Sequence, residues 1–212
     1  MNLFYSIIVL VVAAVVCRAG DTEIVAKAPA GESDLAIVKE KSDGGKYFFV
    51  DTRTGKRLGD VLPPDFRDTR VNGIETSWSP DGSKVAVLVS YGTKLNGVIL
   101  YSLSGDRKMR LVDFSGIDPI KIYDKRNPEK HFSHLAEQAP GYDENALGDW
   151  IANDTVKIVQ GVAKEDENGT TTNFLVVLEV RIIGDRSRIV KLSPVGVLSE
   201  EQAKRFLNAW KH

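Results

Sequence analysis

His131 and His134 stand three residues apart, with Glu137 three further on, a spacing that sets two imidazoles and a carboxylate on adjacent faces of one helix. Imidazole and carboxylate ligate divalent transition metals, and the same trio could supply a general base. No partner ligand is identifiable around them, so the metal and hydrolytic readings stand as the alternative and exposed or locally paired histidines as the main one. Asp118, Asp124, Asp143 and Glu144 surround the same region, together with Tyr123 and Tyr142. An aromatic and acidic rim of this kind contacts sugar or peptide, although charged loops are more often simply solvated. Asp166-Glu167-Asn168-Gly169 resembles half of a calcium loop but lacks the ordered spacing of acids, so a hairpin turn is expected there. No Gly-x-Ser-x-Gly nucleophile elbow occurs. On this reading no catalytic residue, metal or cofactor is assigned.

The elements that must position these groups are mostly strands. Residues 34–41 and 46–51 alternate as two strands around Ser42-Asp43-Gly44-Gly45, a hairpin signal. Thr52-Arg53-Thr54-Gly55-Lys56 then turns the chain into Arg57-Leu58-Gly59. Strands over 74–78, 85–91, 98–103 and 109–114 follow, with turns expected at Pro80-Asp81-Gly82, Asn96-Gly97 and Ser104-Gly105-Asp106. A third set runs over 156–162, 174–183 and 188–192. The units are therefore about 34–62, 74–114 and 149–193, with an insertion at 115–148. Within it, Asn127-Pro128-Glu129 reads as the N-cap and first turn of a short helix to about Gln138, ended by Pro140-Gly141. Val85, Val87 and Val89 lie on one strand face and Ala86 and Leu88 on the other, so that strand should be covered on both sides.

Trp78-Ser79-Pro80-Asp81-Gly82-Ser83-Lys84-Val85 is the most specific segment. Proline sets φ for the second turn position, aspartate bonds back to the backbone, and glycine tolerates positive φ. The segment resembles the blade-opening repeat of TolB-like, WD40-like (PD40) β-propellers. Trp150-Ile151-Ala152-Asn153-Asp154-Thr155-Val156 is a degenerate copy, one residue shorter at the turn. The resemblance implies four-stranded antiparallel meanders arranged as blades. Propellers close with four to eight blades, whereas about three units are found here, so an incomplete propeller-like fold with open sheet edges is expected. Such edges invite pairing with another chain, a homo-oligomer included. Trp78 and Trp150 read as core anchors.

Residues 3–16 are apolar except for Tyr5 and Ser6 and end at Cys17-Arg18-Ala19-Gly20. The run is shorter than a membrane span needs, and small residues at its end read as a signal peptide, residues 1–19, cleaved after Ala19 or Gly20. An uncleaved anchor, or acylation at Cys17, are the other readings. Cleavage removes the single cysteine and one positive charge (Arg18), leaving 27 Lys plus Arg against 29 acids and no disulfide to hold the domain 20–198. A near-neutral, interspersed surface gives no reason to expect nucleic acid or insertion into lipid. Ser199-Glu200-Glu201-Gln202 is a capping box opening a C-terminal amphipathic helix over 199–212. Ala203, Phe206, Leu207 and Trp210 form its apolar stripe. That stripe either docks on the protein's own sheet or binds a partner through Phe206 and Trp210, with Tyr123 and Tyr142 as further contact candidates. Asn153 and Asn168 head glycosylation sequons, relevant only in a eukaryotic host. The sequence thus points to an exported (periplasmic or extracellular) non-catalytic module that binds a protein or envelope polymer.

Overall fold

Runs of β-branched and aromatic residues separated by Gly, Asp and Asn turns fold as antiparallel meanders, because each short turn returns the chain beside the strand just made. The computed structural model describes residues 21–29, 31, 33–42, 45–64, 71–91, 95–129, 132 and 141–210. The residues of the expected signal peptide lie outside this set.

Three sheets result. The first holds β1 (Thr22–Lys27), β2 (Leu35–Glu40), β3 (Tyr47–Asp51) and β4 (Arg57–Asp60), in that spatial order. The second holds β5 (Val71–Trp78), β6 (Lys84–Tyr91), β7 (Leu95–Leu103) and β8 (Met109–Val112), again in order. The third runs β10 (Ala146–Ala152), β11 (Thr155–Glu165), β12 (Thr171–Ile183), β13 (Arg186–Ser199), and the short β9 (Gly141–Asp143) adds to β11. The fold is mainly β: three four-stranded antiparallel meanders in a propeller-like stack that closes no barrel.

One of the expected turns needs correcting. Asn96-Gly97 is not a turn: both residues lie inside β7, with Asn96 opposite Ser90 and Gly97 opposite Val89. The register Tyr91↔Leu95 places the reversal just before them. Most of the helix expected from Asn127 to about Gln138 lies outside the described residues, and what is described of Asn127 is the end of another helix. Asn127 closes α1 (Pro119–Arg126), and both its backbone N–H (2.8 Å) and its Nδ2 (3.1 Å) donate to the Tyr123 carbonyl. The winning signal is Asp118-Pro119: Asp118 Oδ1 accepts from the N–H groups of Ile120 (3.0 Å) and Lys121 (3.4 Å), with proline at the first helical turn. Asn127 precedes Pro128, a position pushed out of helical geometry. β1 is an element that the strand pattern did not announce.

The second sheet is the centre of the stack. Val85, Val87 and Val89 pack with Leu35, Ile37, Tyr47 and Phe49 of the first sheet. Ala86 and Leu100, on the opposite face, pack with Val156, Ile158, Phe174 and Val176 of the third. Burial on both faces explains why β6 lacks polar alternation. The degenerate repeat is structurally equivalent to the clear one, since Trp78 pairs with Val85 and Trp150 with Val156. Trp150 and Ser77 also stitch the two sheets together: Trp150 Nε1 donates to the Ser77 carbonyl at 3.0 Å, and Ser77 Oγ donates to that of Gly148 at 3.1 Å.

The ends of the stack differ. On the outer face of the third sheet, α2 (Glu200–Trp210) covers Ala146, Val159 and Leu175 with Ala203, Phe206, Leu207 and Trp210. Its capping box forms as the sequence expects, Ser199 N–H donating to Gln202 Oε1 (3.0 Å) and Gln202 N–H to Ser199 Oγ (3.4 Å). On the outer face of the first sheet, Ala36, Val38, Phe48 and Val50 form a separate buried cluster.

Candidate functional site

The turn that carries the repeat motif also borders a polar recess. Ser79 is fully buried and its hydroxyl donates to Asp81 Oδ1 at 2.7 Å. The same carboxylate oxygen accepts from the backbone N–H (3.0 Å) and hydroxyl (2.8 Å) of Ser83. Burial raises the Asp81 carboxyl, but these donors and the neighbouring Lys84 outweigh it and hold the group below the usual carboxylate range. Gly82 sits at φ +64°, and a Cβ there would lie 2.5 Å from Ser33 Cβ. Only glycine therefore lets the second-sheet turn approach the loop between β1 and β2.

Beside this contact lies a recess of about 320 Å³, bounded by Ser33, Asp34, Asp81, Ser83, Leu103 and Arg107. Arg107 belongs to the β7–β8 turn and holds φ at +55°, unusual for a residue with a side chain. Its guanidinium donates to Asp51 Oδ2 at 2.7 Å, crossing from the second sheet to the first. Asp51 is buried, and its other oxygen accepts from the N–H groups of Arg53 (3.1 Å) and Thr54 (3.0 Å). Burial raises this carboxyl too; the Thr54 and Arg53 hydrogen bonds and Arg107 more than reverse the effect and leave it below its ordinary value. Asp34 pairs with Arg53 at 3.7 Å.

The hydroxyls of this recess are not set up for activation. Ser83 donates its hydroxyl to a carboxylate whose affinity for protons is lowered, which is a poor base for activating it. The recess offers hydroxyls, carboxylate edges and one half-exposed guanidinium, groups suited to hydrogen-bonding a polar ligand or a partner's loop.

The sequence-derived candidates fall elsewhere. His131, His134 and Glu137 lie outside the described residues, and no group of three or more metal-ligating side chains is found among the described ones. Asp118 is the cap of α1, and Asp124 Oδ1 accepts from the Phe132 N–H. Tyr123 is buried, donates to the Leu175 carbonyl at 2.8 Å and accepts from the Gly196 N–H. Its ring and hydroxyl are thus used inside the molecule, not at a rim. The Tyr142 backbone pairs with Ala163 in β9. Asp166 caps the β11–β12 hairpin, accepting from Asn168 N–H (2.9 Å) and Thr170 N–H (2.8 Å), which is a turn and not an ion loop. Asn153 and Asn168 are exposed at turns.

Phe206 and Trp210 stack on one another, centroids 5.6 Å apart, and pack toward the third sheet. A Cβ at Gly148 would stand 2.7 Å from Trp210 Nε1, so the indole occupies the place that glycine leaves. Helix α2 is docked on the protein's own sheet. Among the described residues no helix is long and apolar enough to cross a membrane. What sequence reasoning missed is the Asp51–Arg107 bridge and the recess; an acidic residue ending β3 was the only local signal. Neither a protein-family model nor a curated protein matches the chain.

Proposed function

We propose that the protein is an exported, non-catalytic interaction module, a shortened relative of TolB-like β-propellers that binds a protein or envelope polymer in the periplasm or outside the cell. The observation that carries this reading is the openness of the stack. The first and second sheets share one hydrophobic cluster and the second and third another, while among the described residues none joins the first to the third. A ring-closed propeller consumes its end faces in closure; an open stack keeps sheet edges, turns and an end face as surface. Exposed Ile24 and Val25 on the edge strand β1 add apolar area there. The recess lined by Ser33, Asp34, Ser83 and Arg107 supplies polar anchoring beside it. In this reading residues 1–19 direct export and are removed, and the surface charge is near neutral, which suits a protein or glycan partner better than nucleic acid.

The test is capture from host envelope extract with the tagged exported protein, alongside an Ile24→Asp, Val25→Lys variant. One partner recovered near stoichiometry and lost with the variant is the expected result. Retention of nothing by either protein, from extract and from a panel of envelope glycans, would remove the reading.

A further inference from the structure

The recess between the first two sheets keeps hydrogen-bonding groups that the fold itself does not use. Among the described residues Ser33 Oγ has no hydrogen-bond partner. Asp81 engages Ser79 and Ser83 through Oδ1 alone, which leaves its Oδ2. Asp34 meets Arg53 through Oδ2, at 3.7 Å and on the surface, which leaves its Oδ1. Arg107 donates to Asp51 through one Nη, and among the described residues its other N–H groups have no acceptor. All four side chains line one hollow of about 320 Å³. Two of them are held in place before any ligand arrives: Asp81 by the donors on its other oxygen, and Arg107 by the buried Asp51 carboxylate.

Three features narrow what could fill this hollow. Charge is balanced, with Asp34 beside Arg53, Asp51 bonded to Arg107, and Lys84 reaching Ser83 next to Asp81. A phosphate would meet carboxylates and a cation would meet a guanidinium, so a neutral ligand suits the lining. Apolar lining is slight: among the described residues Leu103 is the one large apolar side chain on it, and no ring faces it. Neither a nucleobase nor an apolar side chain would gain much by burial there. Third, the two carboxylates supply spare acceptors, the guanidinium supplies spare donors, and the Ser33 hydroxyl can act as either. A ligand hydroxyl both donates and accepts, so adjacent hydroxyls on one ring match a mixed lining of this kind. A peptide loop carries its donors and acceptors singly and brings side chains that this recess has little apolar surface to receive.

We propose that the recess is a sugar site, holding the hydroxyl-bearing edge of a neutral pyranose, with Asp34 and Asp81 accepting, Arg107 donating and Ser33 doing either. The inference rests on the reading of the protein as a binding module and takes the glycan side of it. With no ring to stack on, the affinity for a single sugar unit is low, about 1–10 mM.

The test titrates the full chain, labelled with nitrogen-15, with glucose, galactose and N-acetylglucosamine up to roughly 50 mM, and follows the backbone amides by NMR. Saturable shifts at Gly31, Ser33, Ser83 and Arg107 with at least one sugar are the expected result, while the amides of β12 and α2 stay still. Ser33→Ala removes an oxygen that the fold does not use, so it should keep the Tm and weaken binding about fivefold. Asp34→Asn should do the same. Absence of a saturable shift at the recess with all three sugars overturns the proposal, as does binding that both variants leave unaltered. Shifts there with acetyl-Gly-Gly-amide and none with the sugars would also overturn it, in favour of a peptide. A protein captured from envelope extract while the recess ignores sugar sinks this site alone and leaves the module reading standing.

Discussion

At the third-sheet end of the stack, α2 brings its own start signal and its own apolar stripe, and it lands four residue types of that stripe on Val159, Leu175 and their neighbours. At the first-sheet end, Ala36, Val38, Phe48 and Val50 are equally apolar and equally buried, but no described element lies on them. One end is closed by a segment that forms locally and docks beside the strand preceding it. The lesson is that a stack that does not close has two end faces, and among the described residues only one of them carries a helix.

The largest effect should come from neither end. Phe174 is fully buried between the second and third sheets and touches the rings of Tyr123 and Phe132. Phe49 is its counterpart between the first and second sheets, in edge contact with Tyr101 and Trp78. Phe174→Ala or Phe49→Ala should each cost about 3–5 kcal/mol in urea unfolding. Phe48→Ala, on the outer face, should cost clearly less, because its cluster holds only Ala36, Val38 and Val50 besides it among the described residues. Equal costs for Phe48 and Phe49 would mean that the two faces are packed alike, and the comparison of ends would fail.

Next comes the capped end. Ala203, on the sheet-facing side of α2, is 1% exposed, and Ala203→Asp puts a carboxylate among the apolar side chains of Ala146, Val159 and Leu175. An expected loss of about 2–4 kcal/mol should be local. Hydrogen exchange should quicken in β12 and β13 and in α2 while β2 and β3 keep their protection. Uniform loss of protection across all three sheets would show that the end cap and the core unfold as one unit.

A smaller loss, about 1–3 kcal/mol, is expected for Gly82→Ala, read as a lowered Tm. The position has φ +64° and faces Ser33 Cβ, so both the backbone and the sheet-to-sheet approach resist a methyl group. An unchanged Tm would mean that the repeat turn does not hold the first two sheets together.

The repeat turn and the C-terminal helix were legible because they are local devices: a Pro-Asp-Gly turn and a capping box act within a few residues, and short-range chemistry shows in sequence. The helix at Pro119–Arg126 was not read from the sequence, although its start, Asp118-Pro119, is a cap followed by proline. Its end is set by the bonds from Asn127 to Tyr123, and the stretch expected as a helix beyond Asn127 lies mostly outside the described residues. Asn96-Gly97 carries a hairpin signal that the pairing of β6 with β7 overrides, and Asn96 instead accepts from the Asn145 N–H at 2.8 Å. The polar recess was illegible because Asp51 and Arg107 are 56 positions apart and meet only when two sheets stack. The outer face of the first sheet was half legible: residues 35–38 and 47–50 are apolar on both sides, which announces cover without saying what covers them.

Acid should separate the two ends most finely. The Asp51 carboxyl lies below its ordinary value of 3.8 in the folded protein, so the stability it contributes is present above that value and lost as pH falls through the folded one. Arg107→Gln should weaken this acid-sensitive tie between the first and second sheets, with a loss of about 1 kcal/mol at pH 7 that shrinks below pH 4. Glu144 behaves in the opposite sense. Burial, then the charge of Glu200 on the first turn of α2, push its carboxyl above the ordinary 4.5 against the pull of Lys204, and its Oε2 is buried without a hydrogen-bond partner. A raised folded value means that the stability linked to this group is full below 4.5 and is lost as pH rises through the folded value. Glu144→Gln should therefore raise the Tm at pH 7 by about 2 °C and leave it unchanged near pH 4. Mild acidification thus tightens the α2 end while stronger acid loosens the Arg107 bridge. A Glu144→Gln gain of the same size at both pH values would show that packing, and not the proton, sets the cost of that carboxylate.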